Sequence, residues 1–217
     1  MATGVSIANN YGSIIVNENF KNDYLVRKGT VTISSRSSYD FTSVNFSGVA
    51  PKFAFRENTG GKMVGVTSID YYNGTYTANM VCSDTPATIT YYIFDTVPDN
   101  LPSLGYFSVR DGQGRLTFDS NLKYLRLIDF VSGNGRTAPK VAGVTEAAII
   151  CSPNMQQWGG GGGFSTVASA VADFGFGYDL AYLNMGYTDT SDGGTINSNE
   201  PTYDYPTSVM IIDVTGY

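Results

Sequence analysis

From Thr88 to Phe94 every residue is β-branched or aromatic, and the run alternates, with Ile89, Tyr91 and Ile93 set against Thr88, Thr90 and Tyr92. Such side chains lose rotamer freedom in a helix and pack well on a pleated surface. The run therefore predicts a strand with a buried face. Similar runs recur at 13–16, 24–33, 52–56, 63–69, 75–82, 106–110, 115–118, 123–131, 141–151, 179–185 and 207–214. In the 52–56 run, Phe53 and Phe55 share one face. Asn73-Gly74 between two such runs is a strong hairpin signal, and Asp111-Gly112-Gln113-Gly114 supplies a second. Short strands at this spacing predict an all-β, antiparallel, sandwich-like fold. The one helix candidate, 164–174, is rich in Val, Ser and Thr and suits a strand about as well.

The chain of 217 residues is long enough to bury a core without a metal or disulfide staple. Between Asp95 and Pro102, two prolines flank polar turn residues. This connection divides the chain into an N-terminal β module, 1–97, and a C-terminal β module, 98–217, with longer loops. Two stretches of the second module read as irregular. One is the run of five glycines between Trp158 and Phe164, since ordering glycine costs the most backbone entropy. The other is the polar stretch 188–206.

Histidine is absent. That removes Ser-His-Asp and Cys-His nucleophiles and every metal site that uses imidazole. Cys82 and Cys151 are too few for a four-thiolate site and read as buried free thiols. Asp189-Thr190-Ser191-Asp192-Gly193 has a passing likeness to a calcium loop, but the spacing of its carboxylates is wrong. The glycine run lacks the Gly-Lys-Ser/Thr ending of a phosphate loop. Asp95 and Asp99 read as turn residues. No catalytic residue, cofactor or metal is expected, and a carboxylate-based hydrolase is a remote rival.

Only 15% of residues are charged, against 16 Tyr and 12 Phe. Interface cores are depleted in charge and enriched in aromatics, so this composition suits a subunit that packs on neighbours, copies of itself included. The 13 Lys and Arg are scattered under a net charge of −6, which argues against nucleic acid. No signal-like segment opens the chain, and no apolar run reaches the length of a membrane span. Tyr71-Tyr72 and Tyr91-Tyr92 each place one ring on either side of a strand, so at least one ring of each pair is expected in the core. The candidate contact surface is Trp158, Gly159, Gly160, Gly161, Gly162, Gly163, Phe164 and Tyr187.

Residues 105–126 carry the most information. Gly105-Tyr106-Phe107 opens a strand, Asp111 to Gly114 turns it, and Leu116-Thr117-Phe118-Asp119-Ser120 returns and breaks it before a third strand from Lys123. This Asp-x-x-Gly-x-Leu-x-Phe-Asp-Ser pattern after a Gly-aromatic start resembles a module of tailed-bacteriophage tail proteins. Tyr11 to Asn17 and Tyr24 to Val31 resemble the opening of small phage proteins encoded among tail-tip genes. The resemblance implies a virion structural protein of the tail tip, baseplate or fibre, assembled in the host bacterial cytoplasm beside other tail proteins. It supplies no catalytic residues. Rival readings are a host-receptor or glycan-binding adhesin of the same tail, and a capsid decoration protein.

Overall fold

A chain built from short apolar runs and turn residues can bury its backbone polar groups only by pairing strands. The computed structural model shows that pairing. It describes the backbone of residues 6–8, 14–17, 21–34, 42–82, 85–132, 136–139, 141–151, 155–160, 163–173, 177–184 and 208–217. Side chains are described over 21–34, 42–82, 85–132, 141–151 and 208–217. These residues hold β1 (Ser6–Ala8), β2 (Ile14–Asn17), β3 (Asp23–Ile33), β4 (Thr42–Phe46), β5 (Lys52–Glu57) and β6 (Val64–Tyr72). They continue with β7 (Thr75–Cys82), β8 (Ala87–Thr96), β9 (Ser108–Arg110), β10 (Leu116–Asp119), β11 (Arg126–Ser132) and β12 (Arg136–Pro139). The last are β13 (Glu146–Ile150), β14 (Met155–Gly160), β15 (Gly163–Asp173), β16 (Gly177–Asn184) and β17 (Ser208–Asp213). No helix occurs among the described residues, and the protein is all-β.

Two large antiparallel sheets face each other. The first runs β11-β17-β13-β5-β8-β3, and the second β12-β16-β15-β6-β7-β4 with β14 added to β15. β1–β2 and β9–β10 form separate pairs. In each large sheet the strands before residue 97 and those after it stand as adjacent blocks of three. The blocks meet along short seams, Phe55 opposite Ala148 in the first sheet, and Gly65 and Val64 opposite Ala170 and Val171 in the second. The core is continuous across the first seam. Ile89, Tyr91, Ile93, Phe53 and Phe55 from the earlier block pack in one cluster with Ala148, Ile150, Val209 and Ile211 from the later one. Val64, Val66, Ala78 and Met80 enter it from the second sheet.

The first sheet is also covered on its outer face. Ala54, Tyr92, Phe94, Ala147, Ile149 and Ile212 form a second cluster there, under Leu25, Leu125 and Tyr217. β8 is thus a central strand buried on both sides, and Tyr91 and Tyr92 are both interior. β6 behaves in the opposite way. Its first four residues are buried, but Asp70, Tyr71 and Tyr72 overrun the sandwich, so both tyrosines are exposed. The expectation of at least one core ring per pair holds for Tyr91 and Tyr92 and fails for Tyr71 and Tyr72, because strand position, not alternation alone, decides burial.

Other differences have equally local causes. The helix candidate is strand β15, whose Val, Ser and Thr residues pair with β16. The glycine run is not wholly irregular, because Gly159 and Gly160 lie in β14 and Gly163 in β15. Backbone pairing there supplies what the missing side chains do not. Cys82 is half-buried, whereas Cys151 lies just beyond β13 and is exposed; neither forms a disulfide. No helix among the described residues is long and apolar enough to cross a membrane.

Candidate functional site

Of the contact surface expected from the sequence, the structure places Trp158 opposite Ser165, Gly159 opposite Phe164, and Gly160 opposite Gly163 in a β14–β15 hairpin. Gly161, Gly162, Tyr187 and the polar stretch 188–206 lie outside the described residues. Among the described residues no group of three or more His, Cys, Asp or Glu could hold a metal. Asp95 does not simply occupy a turn. It is buried at the end of β8 and accepts the Val49 and Ala50 N–H groups at 2.8 and 2.9 Å, fixing the bend before β5.

The Asp-x-x-Gly-x-Leu-x-Phe-Asp-Ser residues come together as a cassette held by side-chain oxygens. Asp111 accepts the N–H groups of Gln113 and Arg115, and the Arg115 Nε–H at 2.6 Å. Gly114 takes the left-handed backbone that closes this turn, with φ of 78°. Leu116 is buried, and the Phe118 ring stacks on Tyr124 at 4.9 Å. Asp119 is 1% exposed. Its Oδ2 accepts Ser103 Oγ at 3.0 Å, Leu104 N at 2.8 Å and Gly105 N at 3.0 Å, while Oδ1 accepts Asn121 N at 2.9 Å. Burial alone would raise the pKa of this carboxyl; the N–H groups of Asn121, Gly105 and Leu104 with the Ser103 hydroxyl outweigh it and lower the pKa. A Cβ at Gly105 would stand 2.4 Å from both Asp119 Oδ1 and Ser120 Oγ. Ser120 Oγ accepts Phe107 N at 3.2 Å. Every named residue of the motif therefore serves the fold. Alongside exposed polar residues such as Arg110 and Gln113, the cassette presents three apolar or aromatic side chains outward: Leu104, Phe107 and a fully exposed Tyr106.

A second constellation was missed by sequence reasoning. At one side of the sandwich the edge strands β3 and β4, from opposite sheets, border an open cleft of about 320 Å³. Val26 is the extra residue of a bulge in β3, between the pairs Leu25–Phe94 and Arg27–Ile93. Such a bulge re-aims the side chain that follows it. Arg27 Nη1 donates to Asn45 O on β4 at 2.8 Å, and Nη2 to the Tyr91 hydroxyl at 2.6 Å. The guanidinium carbon lies 5.3 Å from the Tyr91 ring centroid. Gly29 has no room for a side chain, since a Cβ would fall 2.3 Å from Tyr91 Oη. Phe46, Ser47, Thr75 and Ile93 complete the lining.

Rings connect this cleft to the overrunning hairpin tip. Tyr91, Phe53, Phe46, Tyr76 and Tyr71 follow one another at centroid spacings of 6.1, 5.7, 5.6 and 4.7 Å. At the tip Tyr72 faces Thr75 across the Asn73-Gly74 turn, whose φ values of 47° and 81° are both left-handed. The one sequence signal for the cleft was a glycine inside a strand, which marks a bulge or a close approach. Compared with family models, with curated proteins and with solved structures, the chain matches none.

Proposed function

We propose that this protein is a non-enzymatic structural subunit of a bacteriophage virion, located in the tail tip, baseplate or fibre and acting through protein–protein contacts. The observation that carries the reading is the apolar surface within residues 104–130. Leu104, Tyr106 and Phe107 project from a cassette braced by the buried Asp119, and Leu127 and Phe130 project from β11, an edge strand of the first sheet. Exposed apolar groups on a rigid support, part of them on the edge strand of the described sheet, suit packing on neighbouring tail proteins or on further copies of the chain. The likeness of the 105–126 pattern to tail proteins supports the same reading.

Mass spectrometry of purified virions from a phage encoding this chain tests it. The chain is expected in the particle, and its absence overturns the proposal. Immunogold labelling then separates tail from head, and label on the head favours capsid decoration instead. Phe130→Asp is expected to reduce incorporation while the purified subunit stays folded, because Phe130 is outside both core clusters.

A further inference from the structure

We infer that the cleft between β3 and β4 is a binding site for a saccharide bearing a carboxylate, with Arg27 as its anion contact. Arg27 is exposed, yet its position is fixed by three features of the surrounding structure. The bulge at Val26 turns it, the buried Tyr91 hydroxyl and the Asn45 carbonyl hold it, and Gly29 leaves space for that hydroxyl. A guanidinium has five N–H donors in a rigid plane, and these two bonds leave donors for a ligand. A planar fork of this kind matches a carboxylate. No acidic side chain lines the cleft, so nothing within it competes for the Arg27 charge.

The remaining lining selects the rest of the ligand. Ser47, Thr75 and Asn45 offer neutral donors and acceptors suited to hydroxyl groups. Phe46, Ile93 and Val26 make an apolar floor. Beside Thr75, Tyr72 is 78% exposed and has no place in either core cluster. An exposed tyrosine face next to hydroxyl-binding groups fits a sugar ring, which has both an apolar face and polar edges. A volume of about 320 Å³ is small for a ligand pocket and suits one or two rings. A peptide adding to β3 would need an unbroken ladder, which the bulge at Val26 interrupts. This site is independent of the virion role, whose test by particle composition is unaffected by the outcome here.

The test uses the purified full chain on an array of oligosaccharides ending in uronic acids or in their neutral counterparts, followed by calorimetric titration with the best binder. Uronic acid-terminated probes are expected to bind, with their neutral counterparts weaker by about tenfold or more. Arg27→Met should remove that preference, and Arg27→Lys should retain part of it. Tyr72→Ala, which lies outside the core and is expected to fold, should weaken both probe classes. No saccharide binding overturns the inference. So does equal binding of acidic and neutral probes, full affinity in folded Arg27→Met, or unchanged affinity in Tyr72→Ala. Preference for an acidic peptide panel over the array would also overturn it.

Discussion

The hairpin of β9 and β10 has strands of three and four residues, and the hairpin of β6 and β7 has strands of nine and eight. Both turn through a glycine with positive φ. In the short hairpin the ladder is too brief to fix the chain, and side-chain oxygens of Asp111, Asp119 and Ser120 bind the loop backbone instead. In the long hairpin eight cross-strand pairs and the buried Val64, Val66, Ala78 and Met80 hold the strands. Its tip then runs out into solvent, where Tyr71 keeps a ring contact with Tyr76 and Tyr72 is 78% exposed. Where pairing is scarce, polar side chains serve the backbone. Where pairing is abundant, side chains at the end of the ladder are left for something else.

The change expected to be largest removes the oxygens that stand in for the short ladder. Asp119→Ala leaves the N–H groups of Leu104, Gly105 and Asn121 without their acceptor in a partly buried setting. The expected loss is roughly 2–4 kcal/mol, measured by denaturant unfolding. Asp119→Asn keeps one oxygen and should lose less. The same carboxylate sets a pH dependence. Its folded pKa is below the ordinary aspartate value, so its contribution is fully present above about pH 4. That contribution disappears as pH falls through the folded pKa, and the Asp119→Asn variant should show a flatter acid limb. Identical acid limbs would mean that Asp119 does not hold the cassette, and the contrast between the hairpins would fail.

Next in size is a substitution beside the cleft. Gly29→Ala places a methyl group 2.3 Å from the Tyr91 hydroxyl. Tyr91 cannot swing aside freely, since its ring is buried and stacked on Phe53 at 6.1 Å. Overpacking of this kind costs about 1–3 kcal/mol. The shift of the hydroxyl should also release Arg27, visible as a change in its side-chain NMR signals. A neutral Gly29→Ala would show that the cleft, like the β6–β7 tip, tolerates change.

The two hairpins also differ in how far the sequence revealed them. The bonds of the cassette are local, spanning two to four residues at Asp111 and up to 16 at Asp119, so its residues appear as a compact written pattern. The Asn73-Gly74 turn was legible for the same reason, and the all-β class followed from the alternating runs. The cleft was not legible. Arg27 meets Tyr91 across 64 residues and Asn45 across 18, and only the facing of two sheets brings them together. Burial of both Tyr91 and Tyr92 likewise depends on β8 having neighbours on both sides and cover on both faces. Thr42–Phe46 is short and mixed and gives no clear strand signal, yet it forms the edge strand that supplies Asn45.

A matched pair of smaller changes isolates the turns from everything else. Gly74 and Gly114 have φ of 81° and 78°, and a Cβ at either meets nothing within 4 Å. Alanine at each therefore reports backbone strain alone, about 1–2 kcal/mol. Equal losses would confirm that the hairpins differ in their strands and side chains, not in their turns; a much larger loss at Gly114 would assign part of the cassette's rigidity to the turn. The smallest effect is expected at Tyr72→Ala. An exposed side chain outside the core changes stability by about 0.5 kcal/mol or less. If Tyr72→Ala instead destabilises the protein as strongly as Gly74→Ala, the tip is part of the scaffold. The tyrosines would then be holding the hairpin as Asp119 holds the cassette, and the reason to assign Tyr72 to a ligand would be gone.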